Sequence, residues 1–567
     1  MKSPHPRASN SRATRRSTAL SIGLAVALLL PSSTPAHEQE KTPEIDKVFS
    51  WVTPGMPGCA VAVSHKGKQV VSRAYGLADL ERDIPITPNT VFDAASVVKQ
   101  FVAAATLLLI EDGKLSLTED IRTYIPELPD YGHKITLDHL MTHTSGIRDW
   151  TGLGPLTGRQ ADALSLTLRQ RGLNFSPGEE WSYSNSGYVL LKEIVARTSG
   201  TSVDNFMRTR LFEPLGMKST RYLTDLRQVV KHRALAYEKA GSGWTLDMQL
   251  DNDRGGGGAL LSTPSDLLIW NEALTTARPG KFVTEKLQEP ARLNNGRKLG
   301  YARGLILDTN RESRVIWHSG GSAGYRTFLA RFPEQGLSVA TMCNAGETAT
   351  GGAYARRIYD LFVPVTTTAG VDAKAPAASV AVEGLDVKSK AGLFFSEATG
   401  QPLRLGVDNG RLRIAGGPVL VTLTKDRFRN PEGATNFMSD DEFELHFVSA
   451  DLIEMKSMEG RTTRYRRAQS YAPGADDLKA FAGRYSNDES KAVFEIAPAK
   501  SGLTFRVSWN DTQPFDFAPV DTDTFQFRGM IVRFRRDQDG QVTAFDYSNP
   551  VVRNIQFTRL SDQAARR

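Results

Sequence analysis

The 567-residue chain has only two cysteines, Cys59 and Cys343. That excludes a small domain stapled by disulfides. Its 48 Gly and 28 Pro follow no triplet period, which excludes a collagen-like repeat. Long disorder is excluded by balance: 40% of the residues are hydrophobic and 23% charged, as in ordinary globular proteins. After residue 36, no stretch is long and apolar enough to span a bilayer. An excess of basic charge is also missing once the charges are located. Lys2, Arg7, Arg12, Arg15 and Arg16 lie in residues 1–36, which hold no acid; removing them leaves 65 basic against 63 acidic residues. The charge therefore implies neither nucleic-acid nor membrane-surface binding. At ~150 residues per domain, the length suggests three or four domains with room for a large core.

The amino terminus reads as an export signal. Arginines up to Arg16 precede an apolar run from Ala19 to Leu30, and Thr34-Pro35-Ala36 offers small residues for cleavage. The run is short for a membrane anchor, the rival reading. Thr14-Arg15-Arg16 resembles a twin-arginine signal, but Thr18 and Ala19 break that pattern. No cysteine follows the run to take a lipid. The expected mature protein is periplasmic or extracellular, with no integral membrane span.

Cys59 and Cys343 each sit in an apolar, strand-like run. Two buried free thiols are the expectation, because a disulfide needs the two runs to be neighbours. Gly58–Ser64 and Val70–Tyr75 read as strands joined at Lys66-Gly67-Lys68. Ser96–Glu111 is apolar nearly all round and stops at Gly113, so it reads as a buried helix. Helices are expected at Gly187–Arg197, at Val203–Leu215 and after the Thr263-Pro264 cap, with another near Ala353–Phe362. Strands are expected from about Tyr301 to Cys343. Such an α/β order lets the two ends of this region share one sheet.

Val363–Ser379 is rich in Pro, Thr, Ala and Gly and reads as a linker. Short alternating strands then recur. Ala391-Gly392-Leu393-Phe394 answers Ala482-Gly483-Arg484-Tyr485, Gly410-Arg411-Leu412 answers Gly502-Leu503-Thr504, and Tyr465 answers Phe557. Two homologous antiparallel, barrel-like β modules are expected rather than one continuous β domain. The divisions read as 1–36 signal, 40–363 α/β domain, 364–384 linker, and modules at 385–468 and 474–562.

Three short motifs carry chemistry. Ser96-Val97-Val98-Lys99 opens the buried helix, so serine and lysine share a face one turn apart. The helix start favours developing negative charge, and a buried lysine loses part of its preference for the charged form. Tyr183-Ser184-Asn185 follows in WSYSNSGY, offering a second proton carrier and a polar anchor. His318-Ser319-Gly320 lies on an expected strand, where glycine allows close backbone approach. Each motif alone has a bland reading, as chance helix spacing, loop aromatic or strand-edge histidine. Their order and local contexts together point to one site.

This set resembles the three motifs of the class C-like β-lactamase and penicillin-binding-protein superfamily, in the branch with D-aminopeptidases, alkaline D-peptidases and serine esterases. Leu140–Gly146, Phe212–Met217 and Gly255–Gly258 before Leu261-Ser262-Thr263-Pro264 agree, and the resemblance covers Ile45 to Phe362. It implies a penicillin-recognising fold: an antiparallel sheet flanked by helices, plus a helical subdomain. The β modules resemble, more loosely, the C-terminal barrels of D-aminopeptidase-like members. The resemblance also implies roles. Ser96 would be the nucleophile, Lys99 and Tyr183 the proton-transfer pair, and Asn185, His318, Ser319 and Gly320 substrate-binding residues. The N–H groups of Ser96 and Gly321 would form the oxyanion hole. No metal or organic cofactor is implied.

Many relatives carry lysine where His318 stands, a fixed cation for a substrate carboxylate. Histidine is mostly neutral at its ordinary pKa of about 6.5. Arg326 is the candidate to supply the charge, against a bland reading as a solvated strand arginine. Three decoys are set aside. Gly320-Gly321-Ser322-Ala323-Gly324 matches G-x-S-x-G, but a strand, not a helix, is expected after it. Gly255–Gly258 lacks the ending of a phosphate loop. His139 and His143 are four apart with no Glu between, so they read as core and turn residues rather than metal ligands.

The reading is an exported serine hydrolase forming an acyl-serine intermediate on small amides or esters: D-amino-acid peptides, peptidoglycan-type peptides or short esters. The rivals are a true β-lactamase, an α/β-hydrolase acting through Ser322, and a non-catalytic cell-wall binder.

Overall fold

A computed structural model describes residues 41–157, 162–248, 259–310, 313–349, 351–363, 382, 384–397, 400–415, 419–430, 443–457, 462–469 and 471–561. The expected export signal, the glycine run at 255–258 and nearly all of the linker lie outside the described residues.

The first strands are β1 (Cys59–His65) and β2 (Lys68–Tyr75). Lys66 and Gly67 turn between them with left-handed φ of 51° and 76°. Helices α1 (Val98–Glu111), α2 (Asn185–Ser199) and α3 (Pro264–Thr275) follow. Thr263 caps α3 by accepting the Asp266 N–H at 3.3 Å. The chain then lays down β3 (Ile306–Asn310), β4 (Ser313–Ser322), β5 (Tyr325–Phe332) and β6 (Leu337–Cys343), and closes with α4 (Gly351–Phe362). The sheet order is β3-β4-β5-β6-β1-β2, with every pair antiparallel. The two ends of the region meet where β6 pairs with β1.

Period-two alternation divides the core between the faces of this sheet. Ala60, Ala62, Ile316, Leu329 and Met342 pack with α1 residues such as Phe101 and Val102. Cys59, Val61, Val63, Phe332 and Val339 pack with Tyr354, Ile358 and Tyr359 of α4. Both faces are covered, which is why β1 and β6 are mostly apolar and buried along almost their whole length.

Three expectations are corrected. Cys59 and Cys343 are not free thiols: they stand opposite each other across β1 and β6 and form a buried disulfide. The last strand series begins at Ile306, not near Tyr301, because residues 301–305 bend around α1; a Cβ on Gly304 (φ 78°) would come 2.7 Å from the Gln100 nitrogen. The helix at Val203–Leu215 is interrupted by a π turn over Arg208–Phe212. Pro214 accounts for this, since it has no N–H and its ring crowds the carbonyl four residues back.

After the linker come two eight-stranded units. The first starts at β7 (Gly392–Ser396) and ends at β8 (Thr462–Arg467), which pair with each other. Its two remaining edges touch through the Arg413–Val419 bridge, so the sheet is nearly closed. The second is a closed barrel running from β9 (Gly483–Ser486) to the hairpin of β10 (Val542–Asn549) and β11 (Val552–Arg559). The repeat is built into matching locks. Gly392 (φ 150°) and Gly483 (φ 148°) leave room for Arg467 and Arg559, whose guanidiniums donate to the carbonyls of Ala391 and Ala482. These arginines also lie over the rings of Phe394 and Tyr485, at 4.4 and 5.9 Å.

The second barrel packs on the hydrolase-like region. Leu153, Leu156 and Leu166 share a core with Phe494, Phe505 and Phe557.

Candidate active site

Ser96 lies in one 3-10 turn, Ala95–Val97, that runs directly into α1. Asp93 shapes this turn by accepting the Ala95 N–H at 2.8 Å. Lys99, three residues on, places Nζ 3.1 Å from Ser96 Oγ and donates to Asn185 Oδ1 at 2.9 Å. Asn185 opens α2. Its backbone N–H and its Nδ2 both donate to Asp149 Oδ2, at 2.5 and 3.0 Å. That double contact fixes the amide, so its oxygen faces Lys99.

Burial pushes Lys99 down from 10.5 to about 7; the Asp149 charge opposes this and the Lys192 charge adds to it. Burial pushes the Asp149 carboxyl up, and hydrogen bonds from Asn185 and Thr151 pull it back. Asn185 stands between amine and carboxylate. Lys99 therefore feels a carboxylate without being locked into an ion pair, and its lone pair is within reach of the Ser96 proton.

Tyr183 meets Lys99 through its ring, with Nζ 4.7 Å from the centroid; Tyr188 presents its ring at 5.5 Å. His318 on β4 is buried, and its ring lies 6.3 Å from that of Tyr183. Burial, then the Lys99 charge, pushes its pKa down from 6.5 to about 3. Ser319 accepts a 2.6 Å hydrogen bond on its carbonyl from His318 Nδ1. Gly320 is glycine for an internal reason: a Cβ would stand 2.3 Å from the Ala94 carbonyl oxygen. It permits close approach of the segment before Ser96. Gly321 is exposed and pairs with Arg326 across the hairpin. Arg326 is not a solvated strand arginine: it donates to the turn carbonyls of Ala323 and Tyr325, at 2.6 and 2.8 Å.

Ser322 ends β4, is followed by a tight turn and β5, and bonds to the buried Asp93. No helix follows it, so it is no nucleophile elbow. His139 accepts the Thr136 N–H on Nδ1 at 3.3 Å and serves a helix cap. Among the described residues no cluster suits a metal ion, and no helix is long and apolar enough to cross a membrane.

Sequence reasoning missed three residues here: Asp149, Tyr301 and the set-aside His143. His143 and Tyr301 are 3.1 Å apart (Nε2 to Oη), and Tyr301 Oη is 3.2 Å from His318 Nε2. No spacing rule links positions 143, 301 and 318. The one legible hint was Thr144-Ser145-Gly146 beside His143, which marks a turn; in it His143 takes a left-handed φ of 60°.

The second barrel also reaches this neighbourhood. The Val551 carbonyl accepts the Asp149 N–H at 3.2 Å and Asn174 Nδ2 at 2.9 Å. Asn549 donates to the Gly152 carbonyl at 2.8 Å, and Arg553 pairs with Glu180 through two bonds of 3.2 and 3.1 Å. The buried Arg148 pairs with the partly buried Glu489 at 3.0 Å.

Residues 45–362 match the Beta-lactamase family. The chain belongs to that family. As a member it is a serine hydrolase. It is 30% identical to Penicillin-binding protein 4* of Bacillus subtilis (strain 168) over 312 residues, 51% of this chain and 68% of that protein. A D-aminopeptidase of Brucella anthropi is 23% identical over 527 residues, 89% of this chain and 95% of that protein. The first curated relatives are matched over 56–68% of their own length. The octameric penicillin-binding protein homologue from Pyrococcus abyssi shares the fold, with a TM-score of 0.50 and 21% identity over 76% of this chain and 99% of that one.

Proposed function

We propose that this chain is an exported hydrolase of small amides or esters that works through an acyl group on Ser96. The substrates proposed are D-amino-acid peptides or amides, peptidoglycan-type peptides and short esters. The observation that carries this is the buried Lys99 amine, 3.1 Å from Ser96 Oγ and held near neutrality at about 7. Lys99 takes the Ser96 proton as Oγ bonds to the acyl carbon. The N–H groups of Ser96 and Gly321 receive the oxyanion, and Lys99 with Tyr183 returns the proton to the leaving amine or alcohol. Water then attacks the acyl-serine by the reverse proton path. Asn185 orients Lys99 and the substrate amide. The divisions 1–36, 40–363, 364–384, 385–468 and 474–562 belong to this reading as signal, hydrolase, linker and two modules.

A peptidase or esterase is favoured over a β-lactamase because the third motif offers no fixed cation. His318 is held neutral, and Arg326 is engaged by its own turn. The full-length relative named D-aminopeptidase supports the same choice. Mass spectrometry of the intact protein with a fluorophosphonate or penicillin probe tests the nucleophile: the label should map to Ser96. Labelling that survives Ser96→Ala and vanishes in Ser322→Ala reverses the assignment. Faster turnover of a chromogenic cephalosporin than of D-alanyl amides and short nitrophenyl esters would make it a β-lactamase.

A further inference from the structure

The buried groups around Lys99 include two imidazoles and a phenol that the reaction above leaves unused. Their protons can be placed by elimination. The Ser184 N–H donates to His143 Nδ1 at 3.1 Å, so that nitrogen carries no proton. A neutral His143 then has its proton on Nε2 and donates it to Tyr301 Oη at 3.1 Å. At the far end, the Ser319 carbonyl can only accept, so His318 Nδ1 is the donor at 2.6 Å. A neutral His318 has a bare Nε2, and it faces Tyr301 Oη at 3.2 Å. Tyr301 therefore receives from His143 and gives to His318. Tyr188 is hydrogen-bonded to the same hydroxyl, but its own proton goes to the Met141 carbonyl at 2.7 Å. Were Tyr301 to point its proton at Tyr188, two lone pairs would face each other inside the core. All three residues are at most 4% exposed. The ionisable groups facing the chain are Lys99, Tyr183 and Tyr188. No carboxylate among the groups acting on His318 offsets a charge there.

We propose that His143 and Tyr301 are positioning residues: they feed a one-way hydrogen-bond chain into His318 that holds the third-motif imidazole in one tautomer and in one orientation. Adding a proton at either end breaks the chain, because Nδ1 of His143 and Nε2 of His318 are both occupied as acceptors. The chain leaves Lys99 as the titrating amine beside Ser96. It also braces Tyr183, whose ring lies 4.3 Å from that of His143. The functional consequence rests on the Ser96–Lys99 reading; the chain itself does not.

The test is nitrogen-15 NMR of histidine-labelled full-length protein, with His318 assigned by loss of its signals in His318→Asn. The expected result is a proton on Nδ1, none on Nε2, and no titration from pH 5 to 9. In Tyr301→Phe, which keeps the ring and removes the hydroxyl, the His318 Nε2 signal should shift as it loses its donor, and the single-tautomer pattern should be lost. His143→Asn tolerates the left-handed turn and supplies a second route: it should shift the His318 signals without abolishing folding. A proton on Nε2 in the wild-type protein, titration there between pH 5 and 9, or His318 signals unmoved in both variants would overturn the proposal. These readings do not need turnover, so they fail or succeed apart from the assignment of Lys99 as base.

Discussion

Lys99 joins chemistry to a stability cost. Its amine must be neutral to accept the Ser96 proton, and its pKa is about 7. Ser96 acylation should therefore rise with pH through about 7 and then level, which a pH series of probe labelling checks. Linkage gives stability the same sign. Between about 7 and 10.5 the unfolded chain holds a proton on Lys99 that the folded chain lacks, so stability rises with pH across that window and is lost towards pH 7. Lys99→Met should lower acylation by roughly 10²–10⁴-fold. It should also raise the melting temperature more at pH 6 than at pH 9, as thermal unfolding at both values would show. At the same scale, Gly320→Ala puts a methyl 2.3 Å from the Ala94 carbonyl. It should cost about 1–3 kcal/mol, and urea unfolding would measure the loss. Acylation should fall with it, because the displaced segment carries Ser96.

The elements were legible where one local rule decides them. The apolar run from Ser96 to Glu111 predicts a buried helix, and α1 is that helix from Val98 on, with Ser96 in the 3-10 turn that leads into it. Thr263-Pro264 predicts a cap that forms. The repeat at Gly392 and Gly483 predicts two β units, and the matching arginine locks explain why those glycines recur. The free-thiol expectation for Cys59 and Cys343 failed because strand neighbours are not a local property: β1 and β6 pair across 284 positions. Replacing both cysteines with alanine should cost roughly 2–4 kcal/mol. The remaining folded protein should still label at Ser96, since the disulfide touches none of the site's hydrogen bonds; chemical denaturation and labelling together check this.

On the scale of the molecule, the hydrolase region and the second barrel are joined by polar contacts, several of them at residues 148–152. Arg148 is buried, with its guanidinium on Glu489 and on the Asn554 carbonyl. The next residue, Asp149, holds Asn185 and is itself held by the Val551 carbonyl. Glu489→Ala strands a buried arginine and should destabilise the protein by about 3 kcal/mol. Because Asp149 is adjacent, acylation should slow as well, without a shift in which serine is labelled. Differential scanning calorimetry and probe mapping would report both.

The sequence alone determined which short motifs make up the candidate site and where most helices, strands and the repeat lie. Those depend on residue type and on neighbours a few positions away. Only the tertiary structure decided what surrounds Lys99: the asparagine turned by Asp149, the imidazole–phenol chain from His143 to His318, and a barrel hairpin behind them. These partners lie tens to hundreds of positions apart. They meet because burial of the sheet faces and the barrel core brings them together, and no periodicity in the chain encodes such a meeting.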